Sequence, residues 1–155
     1  MTAKAERPAA ARVSREPRHR AREAAIQMLY QWEVGRSPMP EVLRTFWTEG
    51  PGSASPIADD LQAFAATLAG GVAAAVEQLD PTIGEAAEHW RIERMNVLDR
   101  LILRLAVYEF LHQPETPSKV VINEALELAR TFSTDEAVRF INGILDAIRK
   151  KLERE

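Results

Sequence analysis

The chain has 155 residues, 46% hydrophobic and 28% charged, enough for one ordinary domain with its own core and too apolar for wholesale disorder. It has no cysteine, which excludes a disulfide framework, a thiolate nucleophile and a Cys-ligated zinc; no apolar run approaches the ~20 residues that span a bilayer, and residues 1–20 lack a signal-peptide core, so a cytoplasmic protein with no membrane partner is expected. The net charge of −3 hides an asymmetry, because residues 1–22 hold seven bases against two acids, a net +5, and the other 133 residues carry −8.

Residues 1–16 carry Ala, Pro, Arg and Ser with almost no large apolar side chain, and read as a flexible basic arm ahead of a single domain over 17–155. Pro17 suits a first helical position, and Ala21, Ala24, Ala25, Met28, Leu29 and Trp32 then form one buried stripe that Gly35 ends. A short helix is expected over 41–47, before the turn-rich "GPGSASP". An Ala-rich helix over 59–79 stops at Asp80-Pro81, and another runs to about residue 94. The broad stripe Val97, Leu98, Leu101, Ile102, Leu105, Val107, Tyr108 and Leu111 marks 96–112 as the central helix. Pro114 and Pro117 open the next helix, "SKVVINEALELARTF", and Ser133 with Glu136 forms a capping box for the last, which runs to Leu152. Asn142-Gly143 falls inside that last pattern, where glycine would permit close packing. No segment alternates with period two, so the fold class is all-α with about seven helices.

Catalytic constellations are scarce. His19, His89 and His112 lie far apart, no glycine-rich phosphate loop or nucleophile elbow is present, and no motif implies a metal or cofactor. The expectation is a binding protein rather than an enzyme. Basic residues crowd the start of the first long helix, where the dipole disfavours them by ~0.3–1 kcal/mol each. Arg18, Arg20 and Arg22 alternate while a helix turns about 100° per residue, so they should fan around the first turn and meet several phosphates. The alternative is that they pair with Glu16, Glu23 or acids of the body. Phe140, following Arg139, could supply a stacking face for single-stranded nucleic acid, whereas Trp32, Trp47, Trp90 and Tyr108 read as core.

Three blocks in order, "RHRAREAAIQMLYQWEVG", "VLDRLILRLAVYEFL" continuing into "PSKVVINEALELARTF", and "FINGILD", resemble the NusB family over about 18–35 and 95–148. The resemblance implies two antiparallel three-helix subdomains around the central helix. It also implies a transcription antitermination factor that binds single-stranded boxA RNA of ribosomal RNA operons as a heterodimer with NusE, a small-subunit ribosomal protein. Other Nus factors and RNA polymerase would be reached indirectly, and rRNA maturation would be supported. Carried over residue by residue, the RNA-contacting run falls on Arg18, His19, Arg20 and Arg22. The basic-aromatic pair falls on Arg139 and Phe140, the nearby acid on Asp135 or Glu136, and a further basic position on Lys119. The NusE contacts fall on Tyr30 and Asp99. His19 stands where the family often has arginine, so its contact would change with pH near neutrality. Ser118 stands where many members carry tyrosine. Some relatives also form a homodimer that covers the RNA site. The competing readings are a protein-protein adaptor without RNA and an RNA-modifying enzyme, the latter disfavoured by the missing methyl-donor domain and cysteine.

Overall fold

The apolar spacing of the sequence becomes six α-helices in the computed structural model, which describes residues 16–88 and 90–152. They are α1 (His19–Glu33), α2 (Met39–Thr45), α3 (Asp59–Ala87), α4 (Val97–His112), α5 (Ser118–Phe132) and α6 (Asp135–Lys151). Single 3-10 turns lie at Pro51–Ala54 and Ile92–Arg94, and no strand occurs among the described residues. Apart from Glu16, the basic arm 1–16 lies outside the described residues, as does His89. No helix among the described residues is long and apolar enough to cross a membrane.

Helices α1, α2 and α3 pack together, as do α4, α5 and α6, and the broadest contact joins α3 to α4. Helix α4 is central because Leu101 to Val107 are buried on every side. A helix can be apolar all round only where neighbours cover all its faces. Its start is fixed by Asn96, whose side chain accepts the amide of Leu98 at 2.9 Å. Gly71 lets α4 come close to α3: a Cβ there would sit 2.2 Å from the Tyr108 ring. Gly143 has no such role. It is exposed, and a Cβ there meets nothing within 4 Å.

Among the described residues the helices number six rather than seven because Pro81 does not stop α3. Leu79, Ile83 and Ala87 continue the buried stripe at spacings of four, so tertiary packing holds the helix across the proline. Pro81 and Glu77, whose carbonyl loses its amide partner, are both exposed, which keeps that defect on the solvent side. Arg104 of α4 clamps the same turn through two 2.8 Å hydrogen bonds to Asp80. The stretch expected to extend this helix to residue 94 instead breaks at Glu88, with φ 55°, and ends in the Ile92–Arg94 turn. The last cap shifts by one residue. Thr134 Oγ1, not Ser133, accepts the Ala137 amide at 3.1 Å, while Ser133 Oγ donates to Asp99 at 2.6 Å.

Candidate functional site

The arginine-rich start of α1 divides between two environments. Arg22 is 1% exposed, and its Nε and Nη2 each donate to Glu109 of α4 at 2.8 Å. His19 is also buried, 2.7 Å from Glu124 of α5 and 3.2 Å from Glu23. Hydrogen bonds to Glu124 and then Glu23 outweigh burial and raise its pKa from 6.5 to about 9, so its ring is a cation at neutral pH. The expected titration of His19 near neutrality is thereby displaced upward. Arg18, half-buried, lays its guanidinium 4.1 Å from the centre of the Phe64 ring, and Arg22 approaches the same ring at 5.6 Å. Only Arg20 is fully at the surface, 3.5 Å from Glu23. The fan is therefore not a fan of free cations. His19 and Arg22, three residues apart, share the buried face of α1 and tie it to α4 and α5.

The alternative reading, pairing with Glu16, Glu23 or acids of the body, describes this cluster, and the two body acids that sequence reasoning left unnamed are Glu109 and Glu124. Their signal was present: Glu109 sits inside "LAVYEFL" and Glu124 inside "INEALEL", both on apolar helix faces. A buried carboxylate on such a face requires a cation or several donors.

At the start of α6 a second set of candidates meets. Glu136 and Phe140 line a cavity of about 310 Å3 with Trp90, Arg94, Asn96, Asp99 and Thr134. Phe140 is half-buried and meets Trp90 edge-to-face, centroids 5.6 Å apart. Trp90 is not core: it is 56% exposed, unlike Trp32, Trp47 and Tyr108, which pack against the core. Arg139 and Asp135 are exposed on the same helix turn. Lys119 is exposed at the second residue of α5 and lines none of the cavities described here, while Ser118 beside it is buried.

The two residues expected at a partner surface separate. Tyr30, 42% exposed, lines a cavity of about 330 Å3 with Ile26, Gln27, Gln31, Pro51, Leu98 and Phe132. Asp99 is buried and faces the Trp90–Phe140 cavity, so the start of α4 borders both through consecutive side chains. Gln27, Pro51 and Phe132 also line a neighbouring cavity that reaches Arg20 and Glu23. One groove thus follows the outer face of α1 from Arg20 to Tyr30.

Comparison with known proteins gives a consistent family. The model of the NusB family matches residues 19–150. The transcription antitermination protein NusB of Koribacter versatilis (strain Ellin345) is 44% identical over 138 residues, covering 89% of this chain and 92% of that protein. Among solved structures, T. maritima NusB is similar with a TM-score of 0.78 at 32% identity, over 89% of this chain and 94% of that one. A structure of the antitermination factors NusB and NusE in complex with dsRNA has a TM-score of 0.76 at 24% identity, over 87% and 98% of the two chains, a likeness of fold.

Proposed function

The chain belongs to the NusB family, and from that premise we propose that it is a transcription antitermination factor that binds boxA RNA together with NusE. It acts by binding, without a catalytic step, in the cytoplasm where nascent RNA is made. The observation that carries this reading is the match over residues 19–150, which spans both the α1 start and the Arg139–Phe140 pair. A NusB of the same fold solved together with NusE and dsRNA supports NusE and an RNA as the partner classes.

On this reading Arg18, Arg20, Lys119 and Arg139 attract the phosphates, and Phe140 with Glu136 meets a base. His19 and Arg22 are positioning residues: their buried pairs to Glu124 and Glu109 hold the α1 start where Arg18 and Arg20 can act. Tyr30 and the groove around it take NusE, and Asp99 borders that surface through its neighbour Leu98. A tyrosine with an exposed ring suits such an interface because it offers apolar area and a polar tip.

The test is a titration of single-stranded boxA RNA and a scrambled control, each with and without NusE. NusE should tighten boxA binding, and by linkage boxA should tighten NusE binding by the same factor. With about four phosphate contacts, log affinity should fall with log salt at a slope of roughly −3. Equal affinity for boxA and scrambled RNA would sink the RNA assignment, and indifference to NusE would sink the cooperative mechanism.

A further inference from the structure

We propose that Trp90 and Phe140 form a pocket for one unstacked RNA base, with Arg91, Arg94 and Arg139 holding its flanking phosphates. This rests on the reading of the chain as an RNA-binding protein, and adds a site on the α3–α4 connection to it.

The first observation is the position of Trp90. Had α3 continued, the stripe Ile83, Ala87 would have carried Trp90 inward on the next turn. The chain instead turns at Glu88, a non-glycine residue at φ 55°, and Trp90 emerges 56% exposed against Phe140. A non-glycine residue in this region costs conformational energy, and such strain persists where surrounding structure holds it. The two rings meet edge to face at 71°, both line the same cavity, and Trp90 keeps more than half of its surface exposed. Aromatic faces of this kind bind any base by stacking.

The second observation is the distribution of charge. Among the described residues most arginines are engaged with acids, and Arg18 lies on Phe64. Arg91, Arg94 and Arg139 have no such partner among the described residues, and all three are exposed around Trp90 and Phe140. In the cavity lining, Arg94 is joined by two carboxylates. Glu136 and Asp99 line it, and Asp99 Oδ1 is held by the Ser133 hydroxyl at 2.6 Å. Carboxylates repel a phosphate but accept hydrogen bonds from the amino or imino edge of a base. The arrangement therefore sorts a nucleotide, base inward and phosphate outward. A volume of about 310 Å3 suits one base, at the low end of the roughly 300–1,000 Å3 typical of ligand pockets.

The experiment uses the full chain with fluorescently labelled single-stranded boxA RNA, comparing wild type with Trp90→Ala, Trp90→Phe and Arg94→Ala. Trp90→Ala should weaken binding about five- to hundred-fold, the range of one base–aromatic stack, and Trp90→Phe should recover most of it. The salt slope should stay unchanged in both. Arg94→Ala should instead flatten the slope by about 0.7, one single-strand phosphate contact. Bound RNA should quench the tryptophan emission of wild type, and Trp90→Phe should lose most of that quenching. Unchanged RNA affinity in Trp90→Ala, with Phe140→Ala or Arg139→Ala still weakening it, would overturn the pocket and leave the proposed function standing. Failure of wild type to bind any RNA would overturn both. A Trp90→Ala that binds RNA normally but loses NusE would assign the face to a protein partner and likewise overturn the pocket. Because Trp90 is exposed, thermal melting of its variants should match wild type, which separates lost binding from lost folding.

Discussion

Two arginine-rich regions of the molecule use the same side chain in opposite ways. At the start of α1, charge density along the chain is high, yet Arg22 is sealed against Glu109 and His19 against Glu124. Around Trp90 and Phe140 the density along the chain is lower, yet Arg91, Arg94 and Arg139 are exposed without acids against them among the described residues. Charge counted along a sequence therefore does not measure charge available to a ligand. The helix face and the acids opposite it decide. In α1 the inward face, at spacings of three and four, converts cations into packing elements that lock three helices together.

The strongest way to break this contrast is to unpair the buried partner. Replacing Glu109 with alanine leaves the Arg22 guanidinium enclosed without its bidentate carboxylate, and should destabilise the fold by about 3–5 kcal/mol. Denaturant unfolding at pH 7 measures it. The double substitution Arg22→Met, Glu109→Leu should recover most of that loss, because apolar groups of similar volume carry no desolvation cost. A loss below about 1 kcal/mol in Glu109→Ala would mean that Arg22 is solvated like a surface arginine, and the contrast would disappear.

A second test uses the neighbouring cation. The folded-state pKa of His19 lies above its unfolded value, raised from 6.5 to about 9 by Glu124 and Glu23. The ion pair thus contributes its full stability below about pH 6.5 and loses it as pH rises through about 9. Across that window stability should fall by up to about 1.4 kcal/mol per pH unit. Thermal melts of wild type between pH 6 and 9.5 should show this decline, and His19→Gln should lack it. Equal slopes in the two proteins would show that His19 is not held as a buried cation.

How legible each region was follows from the same physics. The six helices were readable because a 3.6-residue period needs only the local order of apolar side chains, and α4 announced itself by the breadth of its stripe. Pro81 misled because its local rule is strong, while the packing of Leu79, Ile83 and Ala87 that overrides it is tertiary. Trp90 misled for the converse reason. Its spacing from Ile83 and Ala87 continues a core stripe, and a glutamate gives no sign of the positive φ at Glu88 that interrupts it. The candidates Glu136, Arg139 and Phe140 lie near one another because they share one turn of α6. Asp99 and Tyr30 were separable only in three dimensions, since consecutive residues of α4 border different cavities.

The smallest expected effect lies at Arg20, which stands between the two regimes. It is exposed, like Arg94, but lies 3.5 Å from Glu23, which also accepts from His19 at 3.2 Å. On the proposed reading RNA competes with that carboxylate for the guanidinium, so Arg20→Ala should flatten the salt slope of RNA binding by less than the ~0.7 of a full single-strand phosphate contact. Stability should change by no more than about 0.5 kcal/mol, as for surface substitutions elsewhere. The sharper version removes the competitor. Glu23→Gln releases Arg20 while leaving His19 its principal partner, Glu124, and should tighten RNA binding and steepen its salt dependence. If Arg20→Ala flattens the slope as much as Arg94→Ala does, and Glu23→Gln changes nothing, then the local acid does not gate the arginine. The difference between the two regions would then reduce to burial alone.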